Sequence, residues 1–141
     1  MFNISAEVYF DSAHFLAGYD GRCGNIHGHR WRVIAEIMGD KLTEEGQTRG
    51  MLIDFSDLKK DLFELVDSLD HHFVIEKGTL RPKTMEALAE EGFDVIELPF
   101  RPTAEEFARY FYDRMSERGH NMARVTVYET PANCAIYTGE D

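Results

Sequence analysis

FNISAEVYFDSAHFLAGYDGRCGNIHGHRWRVIAEIMG, residues 2–39, sets the class of the fold. Phe2, Ile4, Ala6, Val8 and Phe10 alternate with Asn3, Ser5, Glu7 and Tyr9, the period of a half-buried strand, and the pattern runs on toward His14. Residues 19–28, YDGRCGNIHG, carry the Gly, Asp and Asn of a loop, after which HRWRVIAEIMG resumes β-forming residues. Two strands joined through a short loop imply an antiparallel sheet. A polar connection from Gly39 to Gly50 leads away from it.

Beyond residue 54 the period changes. Asp54 is a candidate N-cap, and Leu58, Leu62, Leu65, Val66 and Leu69 recur at three- and four-residue steps, predicting a helix that ends near Asp70. Thr103 and Glu106 form a capping box before Phe107, Tyr110, Phe111 and Met115, with Gly119 as the stop of a second helix. A shorter helical patch, KTMEALAEEG, lies within residues 76–98. ARVTVYET and NCAIYT are β-rich, with Pro131 at their junction. The expectation is an α+β domain spanning residues 1–141, with an antiparallel four-stranded sheet and two main helices on one face.

Composition narrows the function. The chain has 141 residues, 43% hydrophobic and 29% charged, the balance of a single folded domain. Its net charge of −11, from 26 acidic against 15 basic side chains, argues against nucleic acid as a partner. An anionic ligand would need a local basic pocket, and Arg22, Arg30, Arg32 and Lys41 are candidates to supply it. No apolar run is long enough to span a bilayer and no signal-peptide pattern opens the chain, so no membrane partner and a cytoplasmic address are expected. Two cysteines, Cys23 and Cys134, are too few for a secreted disulfide scaffold.

The sharpest chemical signal is His27-Gly28-His29, since side chains two apart in an extended segment point the same way. A neighbouring antiparallel strand can bring His14 to the same face. Three imidazoles with a vacant fourth position suit a catalytic Zn²⁺; the alternative is a set of pocket histidines without metal. Cys23, four residues before His27, is a base or nucleophile if its thiolate is favoured by a nearby cation. It is otherwise a packed thiol or a fourth ligand that closes the site. Cys134 reads as a core residue. Asp70-His71 is either an acid–base pair or a helix end whose basic residue meets the macrodipole. His72 and His120 have no evident partner. Glu129 is either a solvated strand end or a bidentate acceptor for a guanidine-like heterocycle edge. Asp54 and Thr103 are capping residues first.

Taken together, FDSAHFL, CGNIHGH, MLIDFSDLK, LDHHF, RPTAEEFARY and VTVYETPANCAIY resemble, in order and spacing, the blocks of the 6-pyruvoyltetrahydropterin synthase / 6-carboxytetrahydropterin synthase family. The resemblance spans nearly the whole chain and implies the T-fold, in which trimers close a barrel and two trimers stack as a hexamer. It implies His14, His27 and His29 as zinc ligands, Cys23 as the proton-abstracting thiol, and Asp70 and His71 as a dyad reaching the site from a neighbouring subunit. Glu129 would anchor the pterin, with Thr103 assisting. The implied substrate is 7,8-dihydroneopterin triphosphate. The 6-carboxy branch, which leads to 7-deazaguanine compounds such as queuosine, also loses acetaldehyde; the 6-pyruvoyl branch stops earlier. A zinc hydrolase and a non-catalytic zinc- or pterin-binding protein are the competing classes. Two departures stand out: Val74-Ile75 replaces the family's usual Leu-Asn, and residues 76–98 form an insertion. Cys23 and the absence of Glu at Ile26 point away from the folate-directed relatives.

Overall fold

The alternation at the N-terminus becomes β1, Phe2–His14, which pairs antiparallel with β2, His27–Gly39, in an unbroken register from Phe2↔Gly39 to His14↔His27. These belong to a computed structural model that describes residues 1–140. Val8, Phe10, Ser12 and His14 on β1 and Trp31, Val33, Ala35 and Ile37 on β2 are buried on one face. Phe10 lies opposite Trp31, and their rings stack with centroids 5.6 Å apart. The ladder begins at His27, so both histidines of the His-x-His pair belong to a strand rather than to the preceding loop.

Two helices cover that buried face. In α1, Phe55–Asp67, the Asp54 carboxylate accepts the Ser56 N–H at 2.8 Å and Leu58, Leu62 and Val66 are buried. This helix stops three residues short of Asp70, and a turn carries the chain through His71. The second covering helix starts where Thr103 Oγ1 accepts the Glu106 N–H at 3.2 Å and buries Phe107, Ala108, Phe111 and Met115. It spans Ala104–Glu117 and ends at Gly119, whose φ of 92° suits glycine while His120 N–H reaches back to the Met115 carbonyl.

The expected four-stranded sheet is enlarged. The sheet has six strands in the order β4-β3-β1-β2-β5-β6, with β3 at His72–Glu76, β4 at Val95–Leu98, β5 at Met122–Thr130 and β6 at Asn133–Tyr137. Strands β1, β2, β5 and β6 form the antiparallel group that the sequence predicts; β3 and β4 extend it in parallel. Residues 82–90 form a third helix, α2 (the covering helix at 104–117 is α3), which links the two parallel strands. The insertion thus supplies the helix and the outer strand of a β-α-β extension that starts from β3 at the sheet edge. It also accounts for Val74 and Ile75, both fully buried, because a strand flanked on both sides in a parallel arrangement takes continuous apolar residues. Cys134 is a correction of another kind. It lies opposite Tyr128 on the sheet face away from the helices and is exposed, so it is not a core residue.

Candidate active site

His14 and His27 meet because they are direct partners at the end of the β1–β2 ladder, and His29 follows two residues on, on the same face. Their ligand atoms lie within 4.8 Å of one another. His14 is almost wholly buried, and Trp31 walls the cluster with ring centroids 5.0 Å from His14 and 5.5 Å from His29. Main-chain carbonyls hold the rings from behind: His14 Nδ1 donates to the Pro102 carbonyl at 2.8 Å, and His27 Nδ1 to that of Asn25 at 2.7 Å. With both Nδ1 atoms donating, the neutral rings present unprotonated Nε2 atoms, and these face each other at 3.1 Å. Two lone pairs in that position repel unless a cation or proton lies between them. Burial, opposed by the Pro102 bond, lowers the His14 pKa to about 4, so a proton is disfavoured. His29 Nε2 is buried without a hydrogen-bond partner. Burial also lowers its pKa, against the pull of Glu129, whose Oε1 stands 3.7 Å away. Three inward nitrogen donors of this kind could hold a metal ion.

Cys23 sits in a 3-10 turn, Arg22–Gly24, and its carbonyl accepts the Leu16 N–H at 2.9 Å, drawing the loop back across the end of β1. The loop is tight: a side chain at Gly24 would come within 2.6 Å of the Tyr19 carbonyl. Arg101 braces it through a 2.9 Å bond to the Ala17 carbonyl. The half-buried thiol does not join the mutual cluster of the three histidines among the described residues, so a closed four-ligand set with Cys23 is absent here.

Asp70 and His71 bond directly. His71 has φ 61°, a left-handed conformation uncommon for a residue with a Cβ, and it folds the ring back so that Nδ1 lies 2.8 Å from Asp70 Oδ2. Such backbone states cost on the order of 1–3 kcal/mol and persist where the surroundings hold them. The holder is β1: Asp11 N–H donates to Asp70 Oδ1 at 2.7 Å, and His71 N–H donates to the Asp11 carbonyl at 2.7 Å. The first of these bonds is the main reason the Asp70 carboxyl titrates below its ordinary range, followed by the partnership with His71. The same partnership raises the His71 pKa, and the ring is left 79% exposed. His72 is not free either, because Nδ1 meets the Asp70 carbonyl at 2.9 Å and Nε2 meets Asp94 at 3.0 Å. His120 pairs with Asp61 at 2.7 Å and ties the turn after α3 to α1.

Glu129 follows Val127 on the inner face of β5 and borders two cavities. One, of about 430 Å³, also takes in His29, Arg30, Arg32, Tyr128 and Thr130. The other, of about 480 Å³, lies between Ala104 and Glu105 at the start of α3 and Cys134 of β6. A third, of about 510 Å³, joins Gly28, His29 and Arg30 to Asp11 and His71. Of the four basic residues that the sequence offers, only Arg30 and Arg32 line these cavities. Arg32 is paired with Glu7 at 2.6 Å, whereas Arg30 stacks over Tyr9 at 4.8 Å. Thr103 has one hydroxyl lone pair committed to its helix cap, and its proton remains available.

Main-chain partners escaped the sequence analysis because a carbonyl leaves no trace in residue type. Asp11 escaped as well, because the strand pattern singles out nothing at that position.

The family profile described as 6-pyruvoyl tetrahydropterin synthase matches residues 3–140. A Haemophilus influenzae protein named 6-carboxy-5,6,7,8-tetrahydropterin synthase is 37% identical over 140 residues, covering 97% of this chain and 99% of that one. One of the same name from Synechocystis is 35% identical over 126 residues, covering 82% and 98%. Among solved structures, an uncharacterized Wolinella succinogenes protein is similar with a TM-score of 0.77 at 22% identity, covering 99% and 98%. Plasmodium falciparum 6-pyruvoyl tetrahydropterin synthase gives 0.70 at 23%, covering 96% of each chain. These two likenesses support the fold, with the sheet of this chain six strands wide.

Proposed function

The chain belongs to the 6-pyruvoyl tetrahydropterin synthase family, and on that premise we propose that it is a zinc-dependent 6-carboxytetrahydropterin synthase. The reaction is a lyase reaction on 7,8-dihydroneopterin triphosphate, which takes up one water and gives 6-carboxy-5,6,7,8-tetrahydropterin, triphosphate and acetaldehyde. The product assignment follows the names of the relatives at 37% and 35% identity. The observation that carries the metal-assisted reading is the pair of Nε2 atoms facing each other at 3.1 Å with both Nδ1 atoms committed to carbonyls.

His14, His27 and His29 would hold the zinc in this reading. Bound there, zinc supplies Lewis-acid polarisation of the substrate's side-chain hydroxyls. Cys23, as thiolate, takes a proton from a side-chain carbon of the substrate. His71, held protonated by Asp70, returns a proton, and the neutral imidazole left behind accepts the next one. Glu129 receives the two N–H groups of the pterin's amino-pyrimidine edge, a bidentate arrangement that fixes orientation, and Thr103 donates its hydroxyl nearby. The dyad of one subunit serves the site of its neighbour. Exposure of His71 supports this, as do the open strand edges: β3 covers only Ser12 and Ala13 of β1, and β6 has no outer neighbour among the described residues. Such edges are covered in assemblies, here a homotrimer or homohexamer. Residues 76–98 stay within the single domain as an edge insertion. No helix among the described residues is long and apolar enough to cross a membrane.

Incubation with 7,8-dihydroneopterin triphosphate tests the proposal. Stoichiometric release of triphosphate and acetaldehyde is expected. A pyruvoyl product without acetaldehyde would move the chain to the sister branch, and tight pterin binding without turnover would make it a binding protein.

A further inference from the structure

The pair Asp70-His71 is mounted on a third residue. Asp11 gives its N–H to Asp70 Oδ1 and its carbonyl to the His71 N–H, both at 2.7 Å, so one strand residue grips both members by its main chain. Its side chain turns to the same place. A carboxylate oxygen of Asp11, one of Asp70 and a ring nitrogen of His71 all lie within 4.8 Å of one another. That orientation is not forced by the sheet. Arg30 stands directly opposite Asp11 in the β1–β2 register, yet its guanidinium lies over the Tyr9 ring at 4.8 Å and makes no ion pair with Asp11.

We propose that Asp11 is a positioning residue for the dyad: its main chain sets the left-handed turn at His71, and its carboxylate is the second anion facing that ring. An imidazole facing two carboxylates keeps its proton to higher pH than one facing a single carboxylate. Asp11 therefore extends the pH range over which His71 can act as an acid. The inference rests on His71 being the acid–base group of the proposed reaction. Other charged and titratable groups border the ring. Asp70 approaches from the turn after α1, and Arg30 and His29 of β2 line the same cavity. His72, at the start of β3, is engaged with Asp94 and the Asp70 carbonyl. The His71 pKa is raised, first by the hydrogen bond and charge of Asp70 and in lesser measure by the charge of Asp11.

Asp11→Asn keeps the size and both main-chain bonds while removing the charge. The ring protons of His71 are titrated by NMR in the intact, metal-loaded protein, and kcat/KM for triphosphate release is measured across the same pH range. The expected result is a lower His71 midpoint, an alkaline limb of kcat/KM displaced in step with it, and a loss of about two- to fivefold on that limb, the scale of solvent-screened ion pairs. Asp11→Glu, which retains the charge, should recover most of the displacement. An unchanged His71 titration in Asp11→Asn overturns the proposal, as does an equal loss of rate at every pH. Should the Asn variant not fold, a wild-type midpoint no higher than that of a free histidine overturns it too. The titration needs no substrate: a wild-type protein inactive on dihydroneopterin triphosphate would refute the assigned reaction, while the midpoint shift would still decide the role of Asp11.

Discussion

Replacing Asp70 by Asn separates the two jobs of that side chain. Its Oδ1 accepts the Asp11 N–H at 2.7 Å and its Oδ2 receives His71 Nδ1 at 2.8 Å. Asparagine retains an acceptor for the first contact but presents an NH₂ to the ring, which cannot accept the Nδ1 proton. The ring then loses its orientation and its nearest negative charge together. A correctly placed general acid or base is worth about 10²- to 10⁴-fold in rate, and a loss in that range in kcat/KM is expected, with a melting temperature close to wild type because the main-chain contact survives. The assay is triphosphate release from 7,8-dihydroneopterin triphosphate, run beside His71→Ala and the double variant. Groups acting as a unit give strongly non-additive losses, so the double variant should be little worse than His71→Ala. The pair also fixes a sign for stability against pH. The Asp70 carboxyl is depressed, so its contribution is present above the unfolded carboxylate pKa and is lost as pH falls through the folded value. The raised His71 contributes below the unfolded imidazole pKa and loses that contribution as pH rises through its folded value. Their joint effect is greatest between the two ranges. An Asp70→Asn enzyme within about threefold of wild type, short of the range for a positioned acid, would refute the pairing.

Cys23→Ala should abolish lyase turnover while leaving the metal content unchanged by elemental analysis, because the thiol stands outside the histidine cluster; loss of metal instead would make it a ligand. Removing metal with a chelator should abolish activity and lower the melting temperature. At free metal near 100 times Kd the lost linkage is about 2.7 kcal/mol, and restored melting on zinc addition checks it. Phe107→Ala should cost about 3–5 kcal/mol by chemical denaturation, because the ring is fully buried against Trp31 at 4.9 Å and Phe10 at 5.6 Å. A cost below about 1 kcal/mol would contradict the packing described.

Much of the framework was legible from short-range pattern. Alternation in residues 2–10, the Asp54 cap and the Thr103 cap each depend on neighbours in the chain, and each appears as expected. The parallel strands were not legible in the same way. Residues 72–76 and 95–98 acquire their strand character from each other and from β1, and a long-range partner leaves no periodicity in so short a segment. Cys134 was misread because apolar type was taken for burial, whereas its parity on β6 turns it outward. At the site, the convergence of His14, His27 and His29 followed from strand geometry and spacing. The direct Asp70–His71 contact did not, because adjacent residues ordinarily diverge and only the positive φ at His71 brings them together. The partners of His72 and His120, Asp94 and Asp61, lie far off in sequence and were hidden for that reason.

The thirteen matched positions of β1 and β2 tie the chemistry to the packing through a single alignment. Sliding one strand past the other by a residue would separate the Phe10–Trp31 stack, bring Gly28 rather than His27 opposite His14, and reverse which side of the sheet each shifted residue occupies. A misaligned hairpin therefore forfeits its aromatic core and its imidazole cluster at once. The oily middle of this hairpin proofreads its polar end, and a chain that has folded correctly has already assembled the three histidines.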